Sequence, residues 1–122
     1  LSPTSAAGDA LVSAWTQNAV LLVCNDVASP ENVDRAWMVA TGQSRGPFGE
    51  IDRIGLDRAA LLFAVSGAMV PAADHPRLIE YLRKRIATHG AGEKADTGFY
   101  TYPAPAYAQE QFLKASAWAS AA

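Results

Sequence analysis

The chain has 122 residues, a length that supports one domain with one hydrophobic core but not two. Half of its residues are hydrophobic and 18% are charged, which is typical of a globular protein and excludes a disordered one. The formal net charge of −2 gives no electrostatic reason to expect a nucleic acid or an anionic membrane as partner, and no apolar run reaches the roughly 18–20 residues of a membrane span.

The first predicted helix runs from about Ala7 to Val23. No proline interrupts this stretch, and apolar residues such as Leu11, Trp15 and Leu22 recur at spacings of three, four and seven. The preceding Leu-Ser-Pro-Thr-Ser is typical of a linker. Because the first residue is not methionine, we expect the chain to be part of a longer protein.

The second helix has a strong start signal. Ser29 is the expected N-cap and Pro30 the first helical residue, and Thr41-Gly42 is the expected end. Four apolar residues at helical spacing form its predicted buried stripe: Val33, Ala36, Trp37 and Ala40.

The stretch from Arg45 to Asp57 is predicted to be a short helix between two longer ones. Gly46 gives the backbone freedom, Pro47 suits the first helical position, and Gly55 suits the residue after the helix end. Residues three apart form its apolar face: Phe48, Ile51 and Ile54.

Two more helices are predicted after Gly55. Asp57 or its predecessor is the expected cap of a helix that stops before Pro71, and Asp74-His75-Pro76 is the expected start of the next. The helix after Gly55 has the predicted apolar positions Leu61, Leu62, Val65 and Met69. The helix after Asp74 has the predicted apolar positions Leu78, Ile79, Leu82 and Ile86.

The C-terminal part is predicted to contain a loop, a short extended segment at Phe99–Tyr102 and a tail, Ala106–Ala122, with helical character. The apolar positions of the tail are Tyr107, Phe112, Leu113 and Trp118. The predicted fold is therefore all-α, with about five helices in one compact orthogonal bundle that spans residues 1–122.

Searching for catalytic residues yields little. His75 and His89 lie at predicted helix boundaries rather than at metal-ligand spacing, and Cys24 is interpreted as core packing in a reducing compartment. No Gly-x-Gly-x-x-Gly follows a strand, so the chain is not expected to cradle a dinucleotide by itself. An acidic cluster could do acid–base work, although capping and surface roles explain it as well or better. Its members are Glu50, Asp52 and Asp57.

A family resemblance rests on four ordered segments: Asn25–Trp37, Thr41-Gly42, Gly46–Asp52 and Gly55–Asp57. They resemble the C-terminal domain of the 3-hydroxyacyl-CoA dehydrogenases. Thr97–Tyr102 is similar to the closing glycine-aromatic motif of that family, and Pro103–Tyr107 resembles the tail of its short-chain, 3-hydroxybutyryl-CoA branch.

The resemblance implies an all-helical domain of the type that also ends 6-phosphogluconate dehydrogenase-type proteins. In the family this domain follows a Rossmann domain, which binds NAD and carries the catalytic histidine–glutamate pair. The helical domain closes over the acyl-CoA substrate and makes the homodimer contact. The isolated chain is therefore expected to be inactive, and the whole enzyme is expected to act in fatty-acid or butanoate metabolism in the cytoplasm.

Two family positions correspond to residues of this chain. Asp9 falls where the family has an asparagine that approaches substrate, although an ionised carboxylate accepts hydrogen bonds and cannot donate them. Lys94 falls where a family lysine reaches the cofactor. The resemblance therefore makes Asp9 a substrate-binding candidate and Lys94 a cofactor-binding candidate.

Two alternatives remain open at this point. The chain could be a free-standing helical association module without catalysis, or a domain of a relative that acts on a sugar acid. Because the first helix and the tail are apolar enough to leave exposed faces, a homodimer is expected in each case.

Overall fold

Helices account for most of the structure. The computed structural model describes residues 3–120, including the side chains of 6–114 and 116–118. The described residues form six α-helices: α1 Pro3–Cys24, α2 Pro30–Thr41, α3 Pro47–Ile54, α4 Leu56–Ser66, α5 His75–Thr88 and α6 Ala115–Ser120. Three short 3-10 turns lie at Glu93–Ala95, Ala106–Ala108 and Glu110–Leu113. Between residues 92 and 101 only isolated bridges form, so the predicted all-α class is confirmed.

The starts of α1 and α2 follow from local signals. α1 begins at Pro3, so the predicted linker is helical from that residue, and residues 1–2 lie outside the described part. Ser29 Oγ accepts a hydrogen bond from the Asn32 N–H at 3.2 Å, which confirms it as the N-cap of α2. Gly42 ends α2 in the left-handed conformation with φ of 74°.

The predicted buried stripe of α2 is wrong at two of its four positions. Ala36 and Ala40 are exposed, whereas Asp34 and Arg35 are buried beside Val33. Both polar side chains have hydrogen-bond partners inside the protein, so the helix turns them inward and leaves the two alanines facing solvent.

The short helix α3 lies at the centre of the core. Phe48 and Ile51 are fully buried and Ile54 is half-buried, so the predicted apolar face is confirmed. Gly46 is extended rather than left-handed; it is needed because a Cβ there would overlap Asp34. Gly55 has φ of 96°, which only glycine adopts readily, and it joins α3 directly to α4.

The helix α4 buries a different face from the predicted one. Leu61 and Val65 are 66% and 74% exposed, and the helix ends at Ser66 before Gly67, well ahead of Pro71 and Met69. Four other residues pack inward: Leu56, Ala59, Ala60 and Phe63. Small alanines permit close approach of neighbouring helices, and this preference is invisible to a search for large apolar residues.

The helix α5 follows its predicted pattern. Leu78 and Leu82 are fully buried, and Ile79 and Ile86 pack partly buried against the core. The predicted start is confirmed, because Asp74 occupies the N-cap position and Pro76 lies in the first turn, although the Asp74 side chain makes no capping hydrogen bond.

The side chains of two carboxylates predicted as helix caps make contacts other than capping bonds. Asp74 forms an ion pair with Arg77 at 2.8 Å. Asp57 lies within the first turn of α4, where it accepts from the Arg58 N–H, and Gly55 occupies the cap position.

The tail is only partly helical. The backbone is extended at Gln109 and Lys114, which separates the 3-10 turns from the short α6. Phe112 is buried, Tyr107 and Trp118 are half-buried and Leu113 is 42% exposed, so the predicted apolar positions only partly face the core. Residues 121–122 of the predicted tail lie outside the described part.

Candidate functional site

The two family-derived candidates lie in different places. Asp9 is exposed in the N-terminal half of α1. Lys94 is exposed in the 3-10 turn after α5, where it lines a cavity of about 260 Å³ with Asp57 and Arg58. Asp9 does not line this cavity, so the structure does not bring the two candidates together there.

The histidines and the cysteine have ordinary surroundings. His75 Nε2 lies 3.0 Å from the Phe63 carbonyl oxygen, and His89 Nδ1 lies 2.8 Å from the Thr88 hydroxyl. Cys24 is half-buried, and burial raises the pKa of its thiol, which disfavours the reactive thiolate. Within residues 3–120, no group of three His, Cys, Asp or Glu side chains could hold a metal ion.

The predicted acidic cluster does not act as a unit. Glu50 forms ion pairs with Arg45 and Arg53, the first at 2.8 Å. Burial raises the pKa of Glu50, but the bonds and charges of Arg53 and Arg45 outweigh burial and hold it below its usual value.

Asp52, by contrast, is buried behind the closing motif, Thr97–Tyr102. The N–H groups of Phe99 and Tyr100 donate to its two carboxylate oxygens at 2.9 and 3.0 Å, and the Tyr102 hydroxyl donates at 2.8 Å. The interpretation of Asp52 as a capping or surface residue is therefore wrong, because its exposed fraction is only 1%. It joins α3 to the closing motif.

Asp34, which the sequence did not single out, plays the matching role from α2. The N–H groups of Phe48 and Gly49 donate to its two oxygens at 2.8 and 2.9 Å, and the Tyr100 hydroxyl donates at 2.8 Å. Tyr100 therefore contacts both aspartates, one through its hydroxyl and the other through its backbone.

Burial sets the protonation of this network. Desolvation raises the pKa of Asp34 to about 7 against the opposing effect of its three hydrogen bonds, and it also raises the pKa of Asp52. Burial and the neighbouring groups raise the pKa of Tyr100 and Tyr102, so both hydroxyls stay protonated and donate. All six donors belong to this chain. The network therefore fixes the fold and does not present an acid to a substrate.

An open apolar groove lies between α1 and α2. It has a volume of about 650 Å³, and apolar side chains of both helices line it. Trp15 and Trp37 stack there with ring centroids 4.7 Å apart and planes 8° from parallel. The Trp37 indole N–H donates to Gln43 Oε1 at 2.8 Å, which fixes the ring. We call this cavity the α1–α2 groove.

A polar recess of about 450 Å³ shares Trp15 with the α1–α2 groove. Gln43, Ser44 and the Arg45–Glu50 ion pair line it. Sequence reasoning missed both cavities because Trp37, Ala36 and Ala40 fit a buried helix stripe, and periodicity alone does not distinguish a packed face from an open groove.

Comparison with known proteins identifies relatives. The family described as "3-hydroxyacyl-CoA dehydrogenase, C-terminal domain" matches residues 7–102. The human protein named hydroxyacyl-coenzyme A dehydrogenase, mitochondrial, is 32% identical over 94 residues, which cover 75% of this chain and 29% of that protein.

A solved structure titled "Substrate-directed dual catalysis of dicarbonyl compounds by diketoreductase" is also similar, with a TM-score of 0.62 and 31% identity. The match covers 71% of this chain and 29% of that one. The chain thus spans about 29% of the length of each of these relatives.

Proposed function

The chain belongs to the family of 3-hydroxyacyl-CoA dehydrogenase C-terminal domains, and we propose that it is the helical, substrate-side domain of an NAD-dependent dehydrogenase. One observation carries the proposal. The family match over residues 7–102 contains both buried aspartates and the closing motif, so the segments of the resemblance belong to one hydrogen-bonded unit.

The proposed reaction is oxidation of the 3-hydroxyl group of an acyl-CoA such as 3-hydroxybutyryl-CoA, in fatty-acid or butanoate metabolism. The described residues do not contain the combination of a strand, a glycine-rich loop and a helix that binds a dinucleotide. The proposal therefore assigns NAD and the catalytic pair to an N-terminal Rossmann domain. NAD bound to that domain would accept the hydride, while this chain would close over the substrate.

Asp9 and Lys94 have proposed roles toward substrate and cofactor. The exposed position of Lys94 at the edge of its cavity leaves its ammonium group available to an anionic ligand. In the two-domain protein, Lys94→Ala is expected to raise KM for NAD, and Asp9→Ala is expected to raise KM for the acyl-CoA. Arg83→Ala, which removes an exposed cation of α5, is the control. Equal KM values in all three variants would refute both roles.

A homodimer is part of the proposal. Leu11 of α1 and Leu61 and Val65 of α4 are exposed by about two thirds or more, and a 2.6 Å Ser13–Ser66 hydrogen bond joins these helices. Val65→Glu is expected to convert a dimer to a monomer in sedimentation experiments, whereas Val39→Glu, on another exposed valine in α2, is not. A monomeric parent chain at micromolar concentration would contradict this.

The cellular location remains a proposal. No helix within residues 3–120 has the length and apolar character needed to cross a bilayer. We expect the enzyme in the cytoplasm, whereas the human relative is named as mitochondrial. Cell fractionation with an antibody against the chain would decide between these compartments.

A second candidate concerns the substrate. The solved structure that resembles this chain is described as a diketoreductase that catalyses reactions of dicarbonyl compounds, and this favours a small carbonyl substrate rather than a CoA ester. The two-domain protein should be assayed with 3-hydroxybutyryl-CoA and with free 3-hydroxybutyrate. A much higher kcat/KM for the thioester supports the main proposal. Oxidation of the free acid with no CoA-ester turnover supports the second.

A further inference from the structure

The loop that carries Lys94 is attached to the core beside one buried carboxylate. This loop runs from Gly92 to Gly98, and we call it the Lys94 loop. We propose that Asp52 is a positioning residue, which holds the Lys94 loop where the Lys94 ammonium group meets the anionic cofactor. The inference rests on the proposed cofactor role of Lys94 and adds the residue on which that role depends.

Both ends of the Lys94 loop lie directly against Asp52. A Cβ at Gly92 would overlap the Asp52 carbonyl oxygen, and a Cβ at Gly98 would overlap a carboxylate oxygen of the same residue. Gly92 also has φ of 121°, a conformation that residues with side chains rarely adopt. The two glycines therefore permit a contact that a larger residue would push apart.

Hydrogen bonds inside the Lys94 loop make it a unit that moves with its ends. The Gly92 N–H donates to the Thr97 carbonyl oxygen at 2.9 Å and closes the base of the loop. The Ala95 N–H donates to the Gly92 carbonyl oxygen at 3.0 Å and shapes the turn around Lys94. These bonds fix the shape of the loop but not its position relative to α3.

The chain on each side of the loop is bonded to α3 or α4. After the loop, the Phe99 and Tyr100 N–H groups donate to the two Asp52 carboxylate oxygens at 2.9 and 3.0 Å. Before it, the Ala91 carbonyl oxygen accepts from the Leu56 N–H at 2.7 Å. Asp52 provides the only side-chain acceptor among these bonds, so its substitution can displace the loop while α3 and α4 remain intact.

The surroundings of Lys94 suit an anion. In the cavity of about 260 Å³, the cations of Arg53, Arg58 and Lys94 outnumber the carboxylates of Asp52 and Asp57. Asp52 therefore lies beside the site that it would position. Because the strength of such a site depends on geometry at a scale of about 1 Å, displacement of the loop is expected to weaken cofactor binding.

A matched pair of variants in the two-domain protein separates positioning from general destabilisation. Asp34→Asn alters a similarly buried carboxylate, whose donors lie outside the Lys94 loop. Asp52→Asn is expected to raise KM for NAD at least about fivefold, with KM for the acyl-CoA unchanged. Asp34→Asn is expected to change neither KM, because partial unfolding lowers the amount of active enzyme rather than KM. Similar KM values for NAD in the two variants overturn the proposal.

A second pair leaves both carboxylates in place. Gly98→Ala puts a methyl group against Asp52, and Gly46→Ala puts one against Asp34. Only Gly98→Ala is expected to raise KM for NAD. Equal KM values for NAD in the two glycine variants overturn the proposal even if Asp52→Asn fails to fold.

A double variant tests whether Asp52 acts through the lysine. In the Lys94→Ala background, Asp52→Asn is expected to change KM for NAD less than about twofold, because the group that it positions is gone. A further rise as large as that in the parent protein would show that Asp52 acts by another route, and it overturns the proposal.

Trypsin cleavage after Lys94 separates this inference from the proposed function, because it requires neither NAD nor acyl-CoA. In the chain alone, cleavage there is expected to be at least about fivefold faster in Asp52→Asn than in Asp34→Asn. Equal cleavage overturns the inference. Faster cleavage in Asp52→Asn, with KM for NAD unchanged in Lys94→Ala, supports the attachment of the loop to Asp52 and refutes the proposed cofactor role of Lys94.

Discussion

At the scale of single residues, Asp34 and Asp52 connect parts of the chain that are distant in sequence. Their six donors come from α3, the closing motif and the tyrosine hydroxyls, over separations of up to 66 positions. A buried carboxylate is costly unless hydrogen bonds satisfy it, and here each oxygen has at least one donor. The glycines nearby serve the same contacts, because a Cβ at Gly98 would overlap Asp52.

Replacing Asp52 by asparagine should destabilise the protein. The amide nitrogen would face an N–H that now donates to a carboxylate oxygen, and leaving that group unpaired costs about 1–3 kcal/mol. Urea unfolding measures the loss. Asp57→Asn, at an exposed carboxylate, is the control and should change stability little. A similar unfolding free energy for both variants would show that the Asp52 network contributes little.

The pH dependence of stability should reflect the titration of the Asp34 carboxyl group. Burial holds its folded-state pKa at about 7, above the ordinary value of 3.8, so the native state binds the proton more tightly than the unfolded state. The unfolding free energy should therefore fall as the pH rises from about 4 through about 7, because the native state must release a proton that it holds more tightly than the unfolded state does.

Asp34→Asn removes this titration. The parent should lose more stability than the variant between about pH 4.5 and about pH 7.5, as measured by urea unfolding at each pH. Asp52 contributes in the same direction and remains in the variant, so a smaller slope persists. Parallel pH dependences of parent and variant would contradict a raised pKa for Asp34.

At the scale of elements, helix boundaries were easier to predict than helix faces. Ser29-Pro30 and Gly46-Pro47 carry local chemical signals, and both starts were correct. The faces of α2 and α4 depend on distant partners. Asp34 faces inward because N–H groups fourteen and fifteen residues later meet it, and hydrophobic periodicity contains no such information. The same limit hid the groove at Ala36.

The C-terminal tail depends on a contact of this distant kind. Buried Arg35 donates from Nε to the Phe112 carbonyl oxygen at 2.7 Å, and its guanidinium lies 4.2 Å from the Phe112 ring centroid. Arg35→Met keeps the bulk of the side chain but loses both interactions, a loss of at least about 2 kcal/mol.

Limited trypsin digestion measures the release of the tail. In Arg35→Met, cleavage after the exposed Lys114 should be at least about tenfold faster than in the parent chain. Arg58→Met removes an exposed arginine of α4 and should leave the rate unchanged. Unchanged cleavage in Arg35→Met would show that other contacts hold the tail.

At the scale of the whole molecule, the described residues form a helical unit in which the buried side-chain polar atoms have hydrogen-bond partners. Both buried carboxylates are occupied by donors of this chain, whereas the α1–α2 groove and the cavity of Lys94 remain open to partners. Buried carboxylates together with open cavities fit a domain that contributes binding surfaces, while the acid–base groups of the reaction lie on another domain. The sequence motifs indicate the family, whereas the groove is visible only in the three-dimensional packing of α1 and α2.

The central claim is that this chain serves a dehydrogenase whose catalytic pair and NAD site lie on a Rossmann domain. The direct test is NAD-dependent oxidation of 3-hydroxybutyryl-CoA and 3-hydroxydecanoyl-CoA, followed as NADH absorbance. It compares the chain alone, the Rossmann domain alone and the two fused in their natural order. We predict turnover only by the fused protein. Clear turnover by the chain alone, or none by the fused protein with either thioester, would contradict the claim.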